Sequence, residues 1–167
     1  MKMIHLQVPG SKAATLEGYI LDCELLLGQE KKRPAVVVCP GGGYLYCSPR
    51  EAEPVAMKLL PEGYNVFILD YSVKPNGYPA QLIEVAAAME LIYENSRQWD
   101  TDAGRIAIMG FSAGGHLAAS LGVFWAEEWL RKLVNASSEY RVIPYNVPNF
   151  CQRLYVDFFN KSFFIYI

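Results

Sequence analysis

A serine between two glycines follows an apolar run, in the pattern Gly110-x-Ser112-x-Gly114. The run at residues 106–109 predicts a short strand, and the small residues after the serine predict a helix. A serine on such a strand-to-helix turn holds its hydroxyl clear of the sheet, where it can act as a nucleophile. The tight turn leaves no room for side chains two residues before and after the serine. The spacing therefore favours nucleophilic catalysis at Ser112 over a Gly-Ser turn without chemical meaning.

Backbone N–H groups near that serine could stabilise an oxyanion. The amide of Ala113 lies at the N-terminus of the predicted helix, where amides point at a reacting group. The run Gly41-Gly42-Gly43 follows another apolar stretch, and we expect Gly42 and Gly43 to donate from the opposite side. A phosphate-binding loop is one alternative, although no Gly-Lys-Ser/Thr and no G-x-G-x-x-G follows. A plain structural turn is the other.

These motifs need a sheet to position them, and the sequence predicts one. Strands are expected at residues 3–8, 16–22, 35–39, 64–69 and 105–109. Helices are expected at 51–60, from Pro79 onward, and at 113–124, with loops at 28–33 and 70–78 and a turn at 99–104. Strands that alternate with helices indicate an α/β fold with right-handed crossovers and parallel pairing.

Composition limits the class of protein. The chain has 167 residues, of which 52% are hydrophobic, enough for one domain with a core. A net charge of −2 argues against nucleic-acid and anionic-membrane partners. No apolar run is long enough to span a bilayer, and residues 1–10 lack the core of a signal peptide. Four cysteines without metal-site spacing, Cys23, Cys39, Cys47 and Cys151, predict reduced thiols in a cytoplasmic protein.

Four stretches together resemble a known family. They are Pro40 to Tyr44 (PGGGY), residues 48–54 (SPREAEP), residues 63–67 (GYNVF) and residues 105–116 (RIAIMGFSAGGH). The chain resembles the α/β-hydrolase superfamily, close to the hormone-sensitive-lipase-like esterases and the acetyl-esterase or acetylxylan-esterase branch. The resemblance runs from near the start to about Tyr140. It departs at Pro40, where many relatives have a histidine that supports the glycine loop.

The resemblance implies a fold and an activity. The fold is a three-layer α/β/α sandwich with a mostly parallel sheet. The activity is hydrolysis of a carboxylic ester, with a small acyl group on a carbohydrate or similar alcohol as the small-molecule substrate. Ser112 would be the nucleophile, and Gly42, Gly43 and Ala113 the oxyanion donors. No metal and no organic cofactor is implied.

The base and acid of a catalytic triad are not evident. The superfamily orders its triad as serine, then Asp or Glu, then histidine. After Ser112 there is one histidine, His116, and we interpret it as a packing or hydrogen-bonding residue because its side chain follows the helix surface away from the turn. His5 lies in the first predicted strand, as an ordinary edge residue. The remaining candidates are loop, cap or tail groups: Asp70, Asp102 and Asp157.

The C-terminal segment differs from the family. We divide the chain into a hydrolase-like part, 1–140, and a divergent tail, 141–167. Pro144 and Pro148 make a poor central strand there. Our hypothesis is a truncated coding sequence, with a frameshift near Tyr140, that leaves the sheet incomplete on its C-terminal side. The alternative is a genuine short variant whose aromatic stretches at 154–159 and 163–167 form a hairpin around a turn at 160–162.

An incomplete sheet has consequences for the rest of the molecule. Without a further strand, residues 105–109 become an apolar edge that invites self-association. The helix at 113–124 then exposes four large side chains: Leu117, Leu121, Phe124 and Trp125. The alternative to an active esterase is a catalytically inactive hydrolase fragment or a non-catalytic binding module.

Overall fold

The computed structural model describes residues 1–22, 25–26, 29–30, 32–137, 153–157 and 162–166. The strands are β1 (Lys2–Gln7), β2 (Thr15–Ile20), β3 (Leu25–Leu26), β4 (Gln29–Glu30), β5 (Arg33–Cys39), β6 (Asn65–Asp70), β7 (Thr101–Phe111), β8 (Arg153–Asp157) and β9 (Ser162–Tyr166). The α-helices are α1 (Glu53–Leu59), α2 (Ala80–Glu94), α3 (Ala113–Phe124) and α4 (Glu128–Ser137). Short 3-10 helices span Pro49–Glu51 and Leu60–Glu62.

Seven strands form one sheet in the order β1-β2-β6-β5-β7-β9-β8. The central strand β5 pairs in parallel with β6 and with β7. The outer pairs are antiparallel, which makes the sheet mixed where the sequence predicted mostly parallel strands. Short connections account for the antiparallel pairs β1–β2 and β8–β9, because a short loop cannot join parallel neighbours. The α/β class is confirmed.

Two helical layers cover the sheet. Alternate residues of β5 face opposite sides, with Val37 packed in the core of α2, α3 and α4. Val36 and Val38 pack in a second core cluster that includes Ala56 of α1. This period of two follows from the pleat of a strand buried on both faces. The three-layer arrangement predicted from the resemblance is therefore present.

Two predicted irregular segments are partly strand. The expected turn at 99–104 is correct for Trp99 and Asp100 and wrong from Thr101 onward, where β7 begins. The buried Thr101 hydroxyl accepts a hydrogen bond from Asn65 Nδ2 at 2.9 Å and donates to the Trp99 carbonyl at 3.0 Å. These bonds hold the segment against the sheet. The loop expected at 28–33 contains β4, which pairs with β3, and the first residue of β5.

The C-terminal strands close the edge that we expected to be open. β9 pairs antiparallel with β7 from Ala107 to Phe111, and β8 pairs with β9 on the outside. The prediction that β7 is an open edge is wrong. The antiparallel pair β8–β9 has the arrangement that the alternative, a C-terminal hairpin, predicted. The frameshift hypothesis concerns Tyr140, which lies outside the described residues, as do Cys23, Pro144, Pro148 and Cys151.

The predicted exposure of α3 is also wrong. Leu117 and Leu121 are each 2% exposed. The helix α4, which the sequence analysis did not predict, contributes the buried side chains of Leu130 and Val134 to the same core. Phe124 and Trp125 are only partly buried, and both pack against this core. None of the helices in the described ranges is both long and apolar enough to cross a membrane.

Candidate active site

Ser112 lies on a strained turn between β7 and α3. Its backbone has φ 49° and ψ −113°, a region that non-glycine residues rarely adopt. A Cβ atom at Gly110 would overlap the backbone of Gly114, and one at Gly114 would overlap the carbonyl oxygens of Cys39 and Pro40. Both glycines are therefore required by close backbone approach, as the spacing predicted. The serine side chain is exposed and has no hydrogen-bond partner among the described residues.

The glycine loop lies beside this turn. Cys39 at the end of β5 pairs with Gly110 at the end of β7, so the segments that follow both strands meet at one edge of the sheet. Gly42 and Gly43 have φ values of 136° and 63°. A Cβ atom at Gly42 would overlap the Tyr46 carbonyl oxygen. The fold thus brings the expected oxyanion residues and Ser112 to the same edge.

Two side chains that the sequence analysis did not assign support the glycine loop. The Glu51 carboxylate accepts a hydrogen bond from the Gly41 amide at 2.8 Å. The Tyr71 hydroxyl donates to the Pro40 carbonyl at 2.5 Å. These contacts support the loop at Pro40 and Gly41. The signal for Glu51 was available, since it lies in the family-like stretch SPREAEP.

The Glu51 contact also bears on the phosphate-loop alternative. A phosphate bound at the Gly41 amide would meet the Glu51 carboxylate that already accepts from it. Two negative groups at one donor repel each other. The Gly41 amide is therefore not available to a phosphate group.

His116 is held by a tyrosine of the glycine loop. The distance between Tyr44 Oη and His116 Nδ1 is 2.8 Å, and the two rings meet edge to face with centroids 6.0 Å apart. Burial, and secondarily the nearby Cys39, raise the pKa of Tyr44 to about 12, so the hydroxyl keeps its proton at neutral pH and can donate. The interpretation of His116 as a hydrogen-bonding residue is confirmed. The bond links the glycine loop to the helix that begins after Ser112.

No triad partner contacts Ser112 within the described residues. His5 lies in β1, at the opposite edge of the sheet from β8. Asp102 forms an ion pair with Arg105 at 2.6 Å, at the start of β7 rather than at its end. Asp70 ends β6 and is not bonded to the serine, and Asp157 lies at the end of β8. The structure brings together the nucleophile and the glycine loop, and it does not bring a base or an acid to them.

Comparison with known proteins places the chain in a family. A sequence profile of the BD-FAE family matches residues 21–160. The chain belongs to the BD-FAE family. An endo-1,4-β-xylanase B from Butyrivibrio fibrisolvens is 36% identical over 104 residues, which cover 59% of this chain and 16% of that protein. The profile match includes the glycine loop, the Ser112 turn and part of the segment after Tyr140.

Solved structures of α/β hydrolases share the fold. The enzyme MGS-M1, from a deep-sea metagenome library, is 40% identical with a TM-score of 0.69, over 73% of this chain and 51% of that chain. An acetyl ester-xyloside bifunctional hydrolase from Caldicellulosiruptor lactoaceticus is 33% identical with a TM-score of 0.62, over 72% and 46%. The BD-FAE chain thus spans about half the length of these structural relatives, and the predicted α/β-hydrolase resemblance is confirmed.

The other reactive side chains of this BD-FAE chain are poor candidates for the chemistry. Cys39 and Cys47 are free thiols. Burial raises the pKa of both, to about 12 for Cys47, so neither is a thiolate at neutral pH. Across the described ranges, no three His, Cys, Asp or Glu residues come together as a metal-binding group.

Proposed function

We propose that this chain contains the nucleophile and the oxyanion hole of a serine carboxylic ester hydrolase. The observation that supports this best is the Ser112 backbone at φ 49° and ψ −113°, held by close contacts at Gly110 and Gly114 beside the glycine loop. Strain of this kind persists only where surrounding structure enforces it, and it clusters at active sites. A serine in an ordinary turn needs neither glycine.

The chemistry follows from these groups. Ser112 Oγ attacks the ester carbonyl carbon, and the carbonyl π electrons move to the oxygen. The amides of Gly42, Gly43 and Ala113 stabilise that oxyanion. The C–O bond to the alcohol then breaks, the alcohol leaves with a proton, and water hydrolyses the acyl-enzyme.

Proton transfer limits the rate of this chain. A base must remove the serine proton, and no described histidine or carboxylate is bonded to Ser112. Sites that lack one triad member retain about 10³–10⁴-fold catalysis over water, from the oxyanion hole and substrate binding. We therefore expect trace esterase activity from the chain alone.

The substrate we propose is a small acyl ester of a carbohydrate, such as an acetylated sugar. The names of two similar proteins support it, one an acetyl ester-xyloside hydrolase and the other a xylanase. We further propose a cytoplasmic protein that uses no cofactor and binds neither nucleic acid nor membrane, in line with its net charge of −2. Self-association through an edge of the seven-stranded sheet would use β1 or β8, since β9 covers β7.

Rescue by an added base tests the proposal. Imidazole should accelerate hydrolysis of p-nitrophenyl acetate by the chain, because it can take the proton that no described residue takes. Imidazole also hydrolyses this ester by itself, so Ser112→Ala is the matched control. Stimulation that exceeds the Ser112→Ala background supports a competent nucleophile. Equal rates for the two proteins would contradict the proposal and favour a non-catalytic binding module.

A further inference from the structure

The loop between β6 and α2 contains the dipeptide Asn76-Gly77, which takes no part in the proposed ester hydrolysis. No other asparagine of the chain is followed by glycine. The pair lies between two backbone turns. In the first, the Asn76 amide donates to the Val73 carbonyl at 3.0 Å, and in the second, the Ala80 amide donates to the Gly77 carbonyl at 3.0 Å. Asn76 and Gly77 themselves belong to no helix or strand, and both are exposed.

The fold does not require a glycine at position 77. The φ angle of Gly77 is not in the positive range that favours glycine. A Cβ atom built at Gly77 would meet no described atom within 4 Å. The glycines on either side of Ser112, in contrast, are required by close backbone approach. What glycine does provide at position 77 is an amide nitrogen with no side chain beside it.

The two groups of this pair that can react with each other have no other partner within the described ranges. The Asn76 side-chain amide forms no hydrogen bond there, and the Gly77 N–H has no acceptor there. The Asn76 carbonyl accepts from Gln81 Nε2 at 3.1 Å. A hydrogen bond to this oxygen stabilises the deprotonated Gly77 amide, because the negative charge is shared between the nitrogen and the oxygen. The nucleophilic nitrogen and the electrophilic Asn76 Cγ are thus adjacent, exposed and unpaired.

The reaction open to this pair is deamidation. The Gly77 nitrogen gives up its proton and attacks Asn76 Cγ, so that a bond forms between the two atoms. The bond from Cγ to the side-chain nitrogen then breaks, and that nitrogen takes up a proton and leaves as ammonia. Water opens the resulting succinimide ring at one of its two carbonyl carbons. Attack at Cγ leaves an aspartate, and attack at the main-chain carbonyl carbon leaves an isoaspartate.

We propose that Asn76 is a site of spontaneous deamidation in the folded chain. The inference does not depend on the proposed ester hydrolase function, since no catalytic group takes part. Deamidation replaces a neutral amide by a carboxylate two residues from Lys74, and the isoaspartate form adds a methylene group to the main chain. The Lys74 amide donates to the Tyr44 carbonyl at 2.9 Å. The modification therefore changes the charge and the main-chain length of a segment that is bonded to the glycine loop.

Asn95 provides an internal control within the same chain. It is followed by a small residue, Ser96, and it lies at the end of α2. Its side-chain amide donates to the Leu91 carbonyl at 2.8 Å, and the Ser96 amide donates to the Tyr93 carbonyl at 3.2 Å. Both groups that deamidation needs are therefore paired at Asn95, whereas both are unpaired at Asn76.

Peptide mapping by mass spectrometry measures both sites in one sample. The full chain is incubated at mildly alkaline pH in native buffer, and a second sample in urea gives the rate of each site without the fold. At Asn76 we expect the folded and unfolded rates to agree within about threefold, because the exposed loop needs little opening. At Asn95 the folded rate should be lower by about tenfold or more, because two hydrogen bonds must break first. A folded rate at Asn76 that is reduced as strongly as the rate at Asn95 would overturn the proposal.

Substitution of Gly77 tests the mechanism. Gly77→Val places a stiff β-branched side chain beside the attacking nitrogen, so deamidation of Asn76 should slow by about tenfold or more. The Tm should stay close to that of the parent chain, because a Cβ atom at this position meets no described atom. Gly77→Ala is the second variant if Gly77→Val does not fold, and it should also slow the reaction. Undiminished deamidation of Asn76 in a folded Gly77 variant would overturn the proposal.

The charge of the whole chain gives an independent readout. Asn76→Asp has the negative charge that deamidation adds, so it marks the elution position of the product in anion-exchange chromatography. We expect the incubated parent chain to develop a species at that position, and the Gly77→Val chain to develop it more slowly. A parent chain that develops no such species would overturn the proposal.

Discussion

The hydrogen bond between Glu51 and the glycine loop offers a direct test of how that loop is held. Glu51→Ala removes the carboxylate that accepts from the Gly41 amide at 2.8 Å. Gly41 is buried, so its N–H is left without a partner in a place that water reaches poorly. Removing the charged partner of a buried donor costs about 1.5–3 kcal/mol of unfolding free energy. For a chain of this size that corresponds to a fall in Tm of roughly 3–12 °C.

Two variants make this measurement specific. Glu51→Gln keeps an oxygen that can accept from the Gly41 amide but removes the charge, and we expect about half the loss. Glu62→Ala is the matched control, because Glu62 is exposed and bonded to no other described residue through its side chain. Urea unfolding followed by circular dichroism gives the free energies. A Glu51→Ala loss no larger than that of Glu62→Ala would refute the role assigned to Glu51.

Three further predictions concern the core, the turn and the sheet edge. Burial, and secondarily Glu94, raise the pKa of Glu90 from 4.5 to about 7, so the folded state keeps a proton that the unfolded state releases. The free energy of unfolding should therefore fall as pH rises from about 4.5 to about 7. Glu90→Gln should flatten this pH dependence and raise the free energy of unfolding by about 1–2 kcal/mol at pH 8, with partial solvent screening taken into account. An unchanged pH dependence of the Glu90→Gln variant in urea unfolding would contradict this prediction. Gly114→Ala should destabilise the fold by more than about 3 kcal/mol because the methyl group meets two backbone carbonyls, and a native-like Tm would contradict this. Amide hydrogen exchange should be slow where β9 pairs with β7, and fast exchange along Ala107–Phe111 would show that the β7 edge is open. The chain should sediment as a monomer unless β1 or β8 associates.

The sequence predicted the parts of the site that depend on local spacing. Gly110 and Gly114 are needed within two residues of Ser112, and the apolar run before them indicates the strand. A stretch of about ten residues is therefore sufficient to predict the strand, the turn and the position of the serine. The helix α4 was missed although its periodicity was visible: Trp129, Leu130, Leu133 and Val134 recur at helical spacing. An ion pair between Glu128 and Lys132 at 2.7 Å follows the same spacing.

Other features depend on contacts between distant residues and could not be predicted. Tyr44 and His116 are 72 positions apart in the chain, and only the folded sheet brings them within 2.8 Å. The support of Pro40 by Tyr71 is of the same kind. The pairing of β9 with β7 was also hidden, because a short aromatic run predicts a strand without saying which neighbour it joins.

The central claim is that the turn positions Ser112 as a nucleophile but that no described residue acts as its base. The rate of ester hydrolysis tests this claim most directly. Purified chain and Ser112→Ala are compared on p-nitrophenyl acetate without added base, with acetate release measured at neutral pH. The account predicts trace activity, about 10³–10⁴-fold over water at most, that changes little in Ser112→Ala. Turnover of about 1 s⁻¹ or more that Ser112→Ala abolishes would contradict it, because such a rate requires a base that takes the serine proton.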